Sequence, residues 1–140
     1  MPAARTPVVP GLFAETADGA RLLGSRCATC GTPYFPRVDR CRKPDCERSR
    51  IEEHAFGPRG VLWSRAIQNY PPPEPALFDE PYVPYAIGVV DLDEGLRVVG
   101  RIDCADPEAV AAGAPVELVI GPIGHDADGG EQVSWKFRPL

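Results

Sequence analysis

Four of the five cysteines fall within the stretch "RCATCGTPYFPRVDRCRKPDCE", residues 26–47. Cys27 and Cys30 are separated by two residues, Cys41 and Cys46 by four, and ten residues lie between the pairs. Paired knuckles of this kind bring four thiolates to one tetrahedral ion. Gly31, directly after Cys30, supplies the permissive backbone that such a turn needs. A disulfide framework fits less well, because the count is odd and Cys104 is far from the rest. The expectation is therefore one structural Zn2+ per chain, held by Cys27, Cys30, Cys41 and Cys46, with iron in the same sulfur set as the alternative. Four sulfurs close the coordination sphere and leave no position for a reactive water, so the metal is expected to shape the chain rather than do chemistry. It would stabilise a module too small to bury a core of its own.

The same stretch is where positive charge collects. Residues 21–50 hold eight Arg or Lys against three acids, whereas the whole chain has net charge −5. The remaining 110 residues are correspondingly acidic, with seven basic groups against seventeen acids. Two of those positive charges balance four thiolates around a divalent ion. The rest reads either as a solvated face or as a dock for an anion. "YFPR" places Tyr34 and Phe35 beside Arg37, a combination that could hold a phosphorylated, base-bearing ligand.

After residue 57 the pattern changes to alternation with period two, punctuated by turns. Strands are expected over 59–70, 84–92, 96–103, 115–120 and 131–137. Gly88 is expected to be a bulge, Leu96, Val98 and Ile102 to face inward opposite Arg97 and Arg101, and Val133, Trp135 and Phe137 to face inward. Trp63 is also expected in the core. "DPEAVAAGA" (106–114) reads as one or two helical turns. Five short strands in this span fit a closed or partly open antiparallel barrel, an OB-fold by first choice. At the other end, 11–17 reads as a short helix with Leu12, Phe13 and Ala17 on one stripe. The expected class is mainly β: an N-terminal helical arm (1–20), a cysteine module (21–56) and a five-stranded OB-fold barrel (57–140).

"YPPPEPALFDEPYVP" (70–84) joins the first two barrel strands with six prolines in fifteen residues. Loops of that length are often functional. Its Tyr70, Leu77, Phe78 and Tyr82 are expected to be exposed and stiffly held, either as an ordinary surface loop or as a preordered contact for a partner. No stretch approaches the about 20 apolar residues needed to span a bilayer, and the N-terminus has no apolar leader, so a cytoplasmic setting is expected. No catalytic set is legible. Cys104 lies beside Asp103 and Asp106, which disfavour a thiolate, and reads as a small buried filler. His125 reads as an exposed turn residue, and His54 as structural or solvent-facing.

Together these pieces resemble one family. "RCxxCGxxYFPRxxxC", followed by "GxxxS" (60–64), "PYxxxxVDLDEG" (84–95), "RVVGRI" (97–102) and "FRP" (137–139), is similar to the DUF35 pattern of a rubredoxin-like zinc ribbon joined to an OB-fold. The second knuckle is wider than the family's commoner two-residue spacing. The resemblance implies a non-catalytic accessory subunit. Such a subunit pairs with a thiolase-superfamily enzyme, a thiolase or a steroid side-chain aldolase, and helps bind its acyl-CoA. It implies a thiolase-like partner chain, an acyl-CoA at or near the interface, and a heterotetramer. Candidate contacts to CoA or partner are Tyr34, Phe35, Arg37, Arg65, Tyr70 and Phe78. The competing reading is a single-stranded nucleic-acid module, since ribbons and OB barrels both serve that role. The acidic barrel half argues against it by repelling a phosphate backbone.

Overall fold

A computed structural model of the chain describes residues 5–73, 76 and 78–140. Ten strands follow in order: β1 Arg5–Pro7, β2 Phe13–Thr16, β3 Gly19–Cys27, β4 Pro33–Tyr34, β5 Ile51–Phe56, β6 Arg59–Gln68, β7 Tyr85–Leu92, β8 Arg97–Ile102, β9 Pro115–His125 and β10 Glu131–Pro139. Among the described residues the one helical element is a 3-10 turn at Pro107–Ala109, capped by the Asp106 side chain. Among those residues no helix is long and apolar enough to cross a membrane.

The expected N-terminal helix does not form. Residues 13–16 instead pair antiparallel with β3, from Phe13 opposite Leu22 to Thr16 opposite Gly19. Gly19, at φ 104°, and the Thr16 hydroxyl, donating to the Gly19 carbonyl at 2.7 Å, close the two-residue turn. A seven-residue helix would have borne the cost of nucleation for very few bonds. The hairpin pairs the same backbone with an existing strand and seats Phe13 against Trp135, ring centroids 6.2 Å apart.

β3 is the spine of the first sheet. β2 and β4 pair with it in succession, and β5 pairs with it antiparallel from Leu22 to Cys27. The second sheet runs β10-β8-β7-β6-β9, and β10 also pairs with β9, so five strands close into a barrel. The free part of the β10 edge is covered by β1, parallel at 5–7 against 131–133. Closure removes the unpaired edges that would otherwise invite other strands.

The inward residues anticipated from alternation are inward: Leu96, Val98, Ile102, Val133 and Phe137 are buried. Trp135 is half-buried and packs against the core from its margin. Ala20, Leu22 and Phe56 of the first sheet belong to the same buried cluster as Leu62, Val90 and Phe137 of the barrel. The two sheets therefore share one core.

Two expectations in β6 and β7 are corrected. Gly88 sits in register between Arg65 and Gly100, and the extra residue lies on the neighbouring strand, at Trp63 between Leu62 and Ser64. A Cβ on Gly88 would stand 2.5 Å from Leu62 Cδ1 and 2.6 Å from Ile102 Cδ1, so glycine is there because neighbouring side chains fill its place. The bulge turns Trp63 outward, 57% exposed, with the Arg97 guanidinium 4.1 Å above its ring. Arg97 also donates twice to Asp91, at 2.6 and 3.0 Å.

Gly88→Ala is expected to lower the stability of the chain by about 1–3 kcal/mol through overpacking, read as a lower midpoint in urea unfolding at unchanged slope. Three carboxylates lie below their ordinary range because each accepts hydrogen bonds: Asp91 from Arg97, Glu117 from Arg138 and Asp79 from His125. A depressed folded-state pKa contributes stability that is complete above the ordinary carboxylate value of about 4 and is lost as pH falls through the lowered value. Urea midpoints should thus hold between pH 7 and 5 and fall below about pH 4, and Asp91→Asn should make that fall shallower.

Candidate metal centre

β3 delivers Cys27 at its last residue, and the chain then reverses to bring Cys30 alongside. Gly31, at φ 79°, donates to the Cys27 carbonyl at 2.7 Å, and Cys27 N donates to the Thr32 carbonyl at 3.0 Å. The second arm is pinned where Cys41 N donates to Ser49 Oγ at 2.7 Å and Cys46 N to the Lys43 carbonyl at 3.1 Å. The Thr29 hydroxyl, donating to the Arg48 carbonyl, ties the two arms together.

These turns gather the four sulfurs within 4.8 Å of one another. Cys27 Sγ and Cys46 Sγ are 3.8 Å apart, and Cys30 Sγ and Cys41 Sγ 3.5 Å. A disulfide would hold its sulfurs at about 2.05 Å. Four thiolates at a zinc–sulfur distance of about 2.3 Å would stand about 3.8 Å apart in a tetrahedron. The donor set and its spacing make this a metal-binding site.

The protonation of the cluster points the same way. Backbone hydrogen bonding at Arg50 and Cys30 pulls the Cys27 thiol down to about 6, whereas desolvation and the three neighbouring sulfurs push Cys46 up to about 12. Four thiolates this close repel one another, and a divalent ion removes the conflict. Tyr34 closes the outer side: its hydroxyl lies 3.3 Å from Cys41 Sγ and accepts from Arg42 N at 2.7 Å.

Sequence reasoning missed what joins the ribbon to the barrel. Glu94, in the β7–β8 turn, accepts from His54 Nε2 and from Gly57 N, each at 2.7 Å. Arg26 Nη2 donates to the Glu94 carbonyl at 3.0 Å, and its guanidinium lies 5.9 Å from the Phe56 ring. His54 is thus structural, as anticipated. The "DLDEG" stretch signals only a turn in the sequence, and nothing in it says which side of the molecule its carboxylate will meet.

With that geometry in place, comparison with known proteins is direct. Residues 20–52 match the family model described as ChsH2, rubredoxin-like zinc ribbon domain, and 53–121 that described as ChsH2, C-terminal OB-fold domain. A DUF35 domain-containing scaffold protein of Methanocaldococcus jannaschii is 35% identical over 121 residues, 85% of this chain and 82% of that one. The chain belongs to the DUF35 family. The benzoylsuccinyl-CoA thiolase subunit BbsA of Thauera aromatica is 30% identical, over 94% of this chain and 86% of its own. A solved Ltp2-ChsH2(DUF35) aldolase superposes with a TM-score of 0.63 at 28% identity, covering 85% of this chain and 84% of that one.

The other residues singled out in this DUF35 chain do not converge on one site. Tyr34 lies on the sulfur cluster. Phe35 packs edge-on against Trp135, centroids 5.3 Å apart, and Arg37 lies 3.7 Å from Glu53 on the surface. Arg65 stands opposite Gly88 on the barrel. Tyr70 is 79% exposed. Phe78 and Tyr82, expected to stand free, are half-buried: their rings pack at 5.5 Å, and the Tyr82 hydroxyl donates to the Gln68 carbonyl at 2.5 Å. Leu77 lies outside the described residues. His125 ends β9 rather than idling in a turn, with Nδ1 2.7 Å from Asp79 Oδ2 and its amide donating to Asp79 Oδ1 at 2.8 Å. Cys104 is half-buried against the core, and burial, then Asp103 and Asp106, push its thiol up.

The purified chain is expected to carry one metal ion per molecule, released by a mercurial titrant together with a chromogenic chelator. Cys30→Ser or Cys41→Ser should abolish the stoichiometric metal and lower the melting temperature, and a chelator should bring the native chain toward the same melting temperature.

Proposed function

We propose that this chain is a non-catalytic accessory subunit that pairs with a thiolase-superfamily enzyme, a thiolase or a steroid side-chain aldolase, and helps bind its acyl-CoA. The observation that carries the reading is similarity over nearly the whole chain to a named thiolase subunit, with a superposable DUF35 aldolase chain beside it. The metal is taken to be zinc, held by Cys27, Cys30, Cys41 and Cys46. A four-sulfur set leaves no open position for a substrate, which supports a shaping role.

Surface chemistry favours a protein partner. Val61, Trp63 and Val99 are exposed on β6 and β8, and the Arg97–Asp91 ion pair lies beside Trp63. Apolar groups gathered this way mark contact surfaces. Tyr34, Phe35, Arg37, Arg65, Tyr70 and Phe78 are the proposed contacts to CoA or partner, distributed over more than one face. The proposed assembly is a heterotetramer of two such chains on a thiolase-like dimer, in the cytoplasm.

Co-expression with the thiolase-like chains of the same organism tests this reading. A stable complex of the expected mass by light scattering, whose acyl-CoA cleavage depends on both chains, is the expected result. Full activity from this chain alone, or salt-sensitive micromolar binding to labelled single strands without any thiolase-like partner, would overturn it.

A further inference from the structure

A second feature lies away from the sulfur cluster, on the outside of the barrel. β10 and β8 run parallel there, and their register sets Lys136 directly opposite Arg101. Like charges directly across a sheet are destabilising, so the pair needs an explanation. Arg101 is well engaged: its guanidinium lies 3.9 Å from the Tyr85 ring centre, and Nη1 reaches the Ile123 carbonyl at 3.4 Å. Lys136 is different. Its stem lies over Gly121: a Cβ on that glycine would stand 3.5 Å from Lys136 Cδ and 3.9 Å from Nζ. Among the described residues its ammonium makes no hydrogen bond or ion pair.

Both cations open into a cleft of about 380 Å³, within the usual size range of small-ligand sites. One wall is aromatic: Phe78, Tyr82 and Tyr85 pack edge to face, at 5.5 and 6.2 Å. This wall is already fixed by the Tyr82 hydroxyl, and the His125–Asp79 pair holds the loop over the rim. Of the acids in the lining, Asp79 is spent on His125, and Asp103 is too far from Lys136 to form an ion pair. Burial works against the charge on Lys136; Asp103 partly supports it, and Arg101, the smallest of the three influences, opposes it. An anion between the two strands would relieve that conflict.

We propose that this cleft is a binding site for a small molecule carrying an oxyanion, carboxylate or phosphate, on a flat aromatic body. Lys136 and Arg101 would hold the anion, and Phe78, Tyr82 and Tyr85 would pack against the ring. A cation is repelled by the same pair, and the aromatic wall favours an aryl group over a bare inorganic ion. The site goes beyond the accessory-subunit reading and does not depend on it.

The full metal-loaded chain is titrated with phenyl phosphate, with benzoate and with inorganic phosphate at fixed ionic strength, followed by amide chemical shifts. Saturable shifts at Arg101, Gly124, His125 and Lys136 are expected with at least one aryl probe, and the tighter of the two identifies the anion. Lys136→Gln should weaken that binding by about tenfold or more, the loss of one charge-assisted hydrogen bond, without lowering the melting temperature. Lys136→Arg should retain most of it. The proposal fails if neither aryl probe gives saturable shifts in the cleft, if inorganic phosphate binds as tightly as they do, or if Lys136→Gln leaves affinity unchanged. It fails also if Lys136 proves to be ion-paired with a carboxylate of a partner chain.

Discussion

Repulsion among four sulfurs is the constraint on which the N-terminal half depends. The cluster forms because three local devices converge: the end of β3, the left-handed turn at Gly31, and the Ser49 and Lys43 bonds that anchor the second arm. Each is worth about 1 kcal/mol, too little alone to hold four thiolates together. A divalent ion converts the repulsion into the strongest cross-link available to residues 23–50, whose fully buried side chains are Ser25 and Cys27. The arginines of residues 37–50 then have a dual setting. They flank the sulfur cluster, whose thiolate charge they would help offset, and they are exposed.

That cross-link would be of little use if the ribbon were free to swing. Ala20, Leu22 and Phe56 are shared with the barrel core, and Glu94 adds a polar clamp. Its carboxylate takes two hydrogen bonds from the β5 side while its carbonyl takes one from Arg26, so a single barrel turn gathers three donors from the other sheet. Such bonds are directional, and they fix an angle that apolar burial alone leaves soft. Arg26 Nε, buried without a hydrogen-bond partner among the described residues, shows what the junction gives up for that geometry. Whatever surface the ribbon presents is therefore held rigidly relative to the barrel.

The legible parts of this fold are those written in local pattern. Cysteine spacing placed the metal site, because ligand geometry is a short-range property. Alternation located all five barrel strands and most of their inward residues, because a closed barrel has a dry side and a wet one. The failures come from long-range causes. Residues 11–17 carry a weak helical stripe, yet β3 offers them a partner the stripe cannot reveal. Gly88 looks like a bulge in isolation and is in fact a vacancy filled by Leu62 and Ile102 from adjacent strands. Trp63 looks like core, but the neighbouring register shift turns it outward. The Glu94 clamp and the His125–Asp79 pair join residues 40 and 46 positions apart, and single-residue chemistry gives no hint of either.

Register also determines where positive charge stands on an otherwise acidic barrel. Arg101 and Lys136 are each unremarkable as outward residues on alternating strands, and neither marks a site by itself. Only the parallel contact between β8 and β10, the one pairing between barrel strands that breaks the antiparallel pattern, sets them face to face. That contact exists because β10 must bridge β9 and β8 to close the barrel. The closure that buries Phe137 on one side thus forces two cations together on the other, one residue away. Two cations set side by side at an aromatic-walled cleft are the physical reason to look there for an anion.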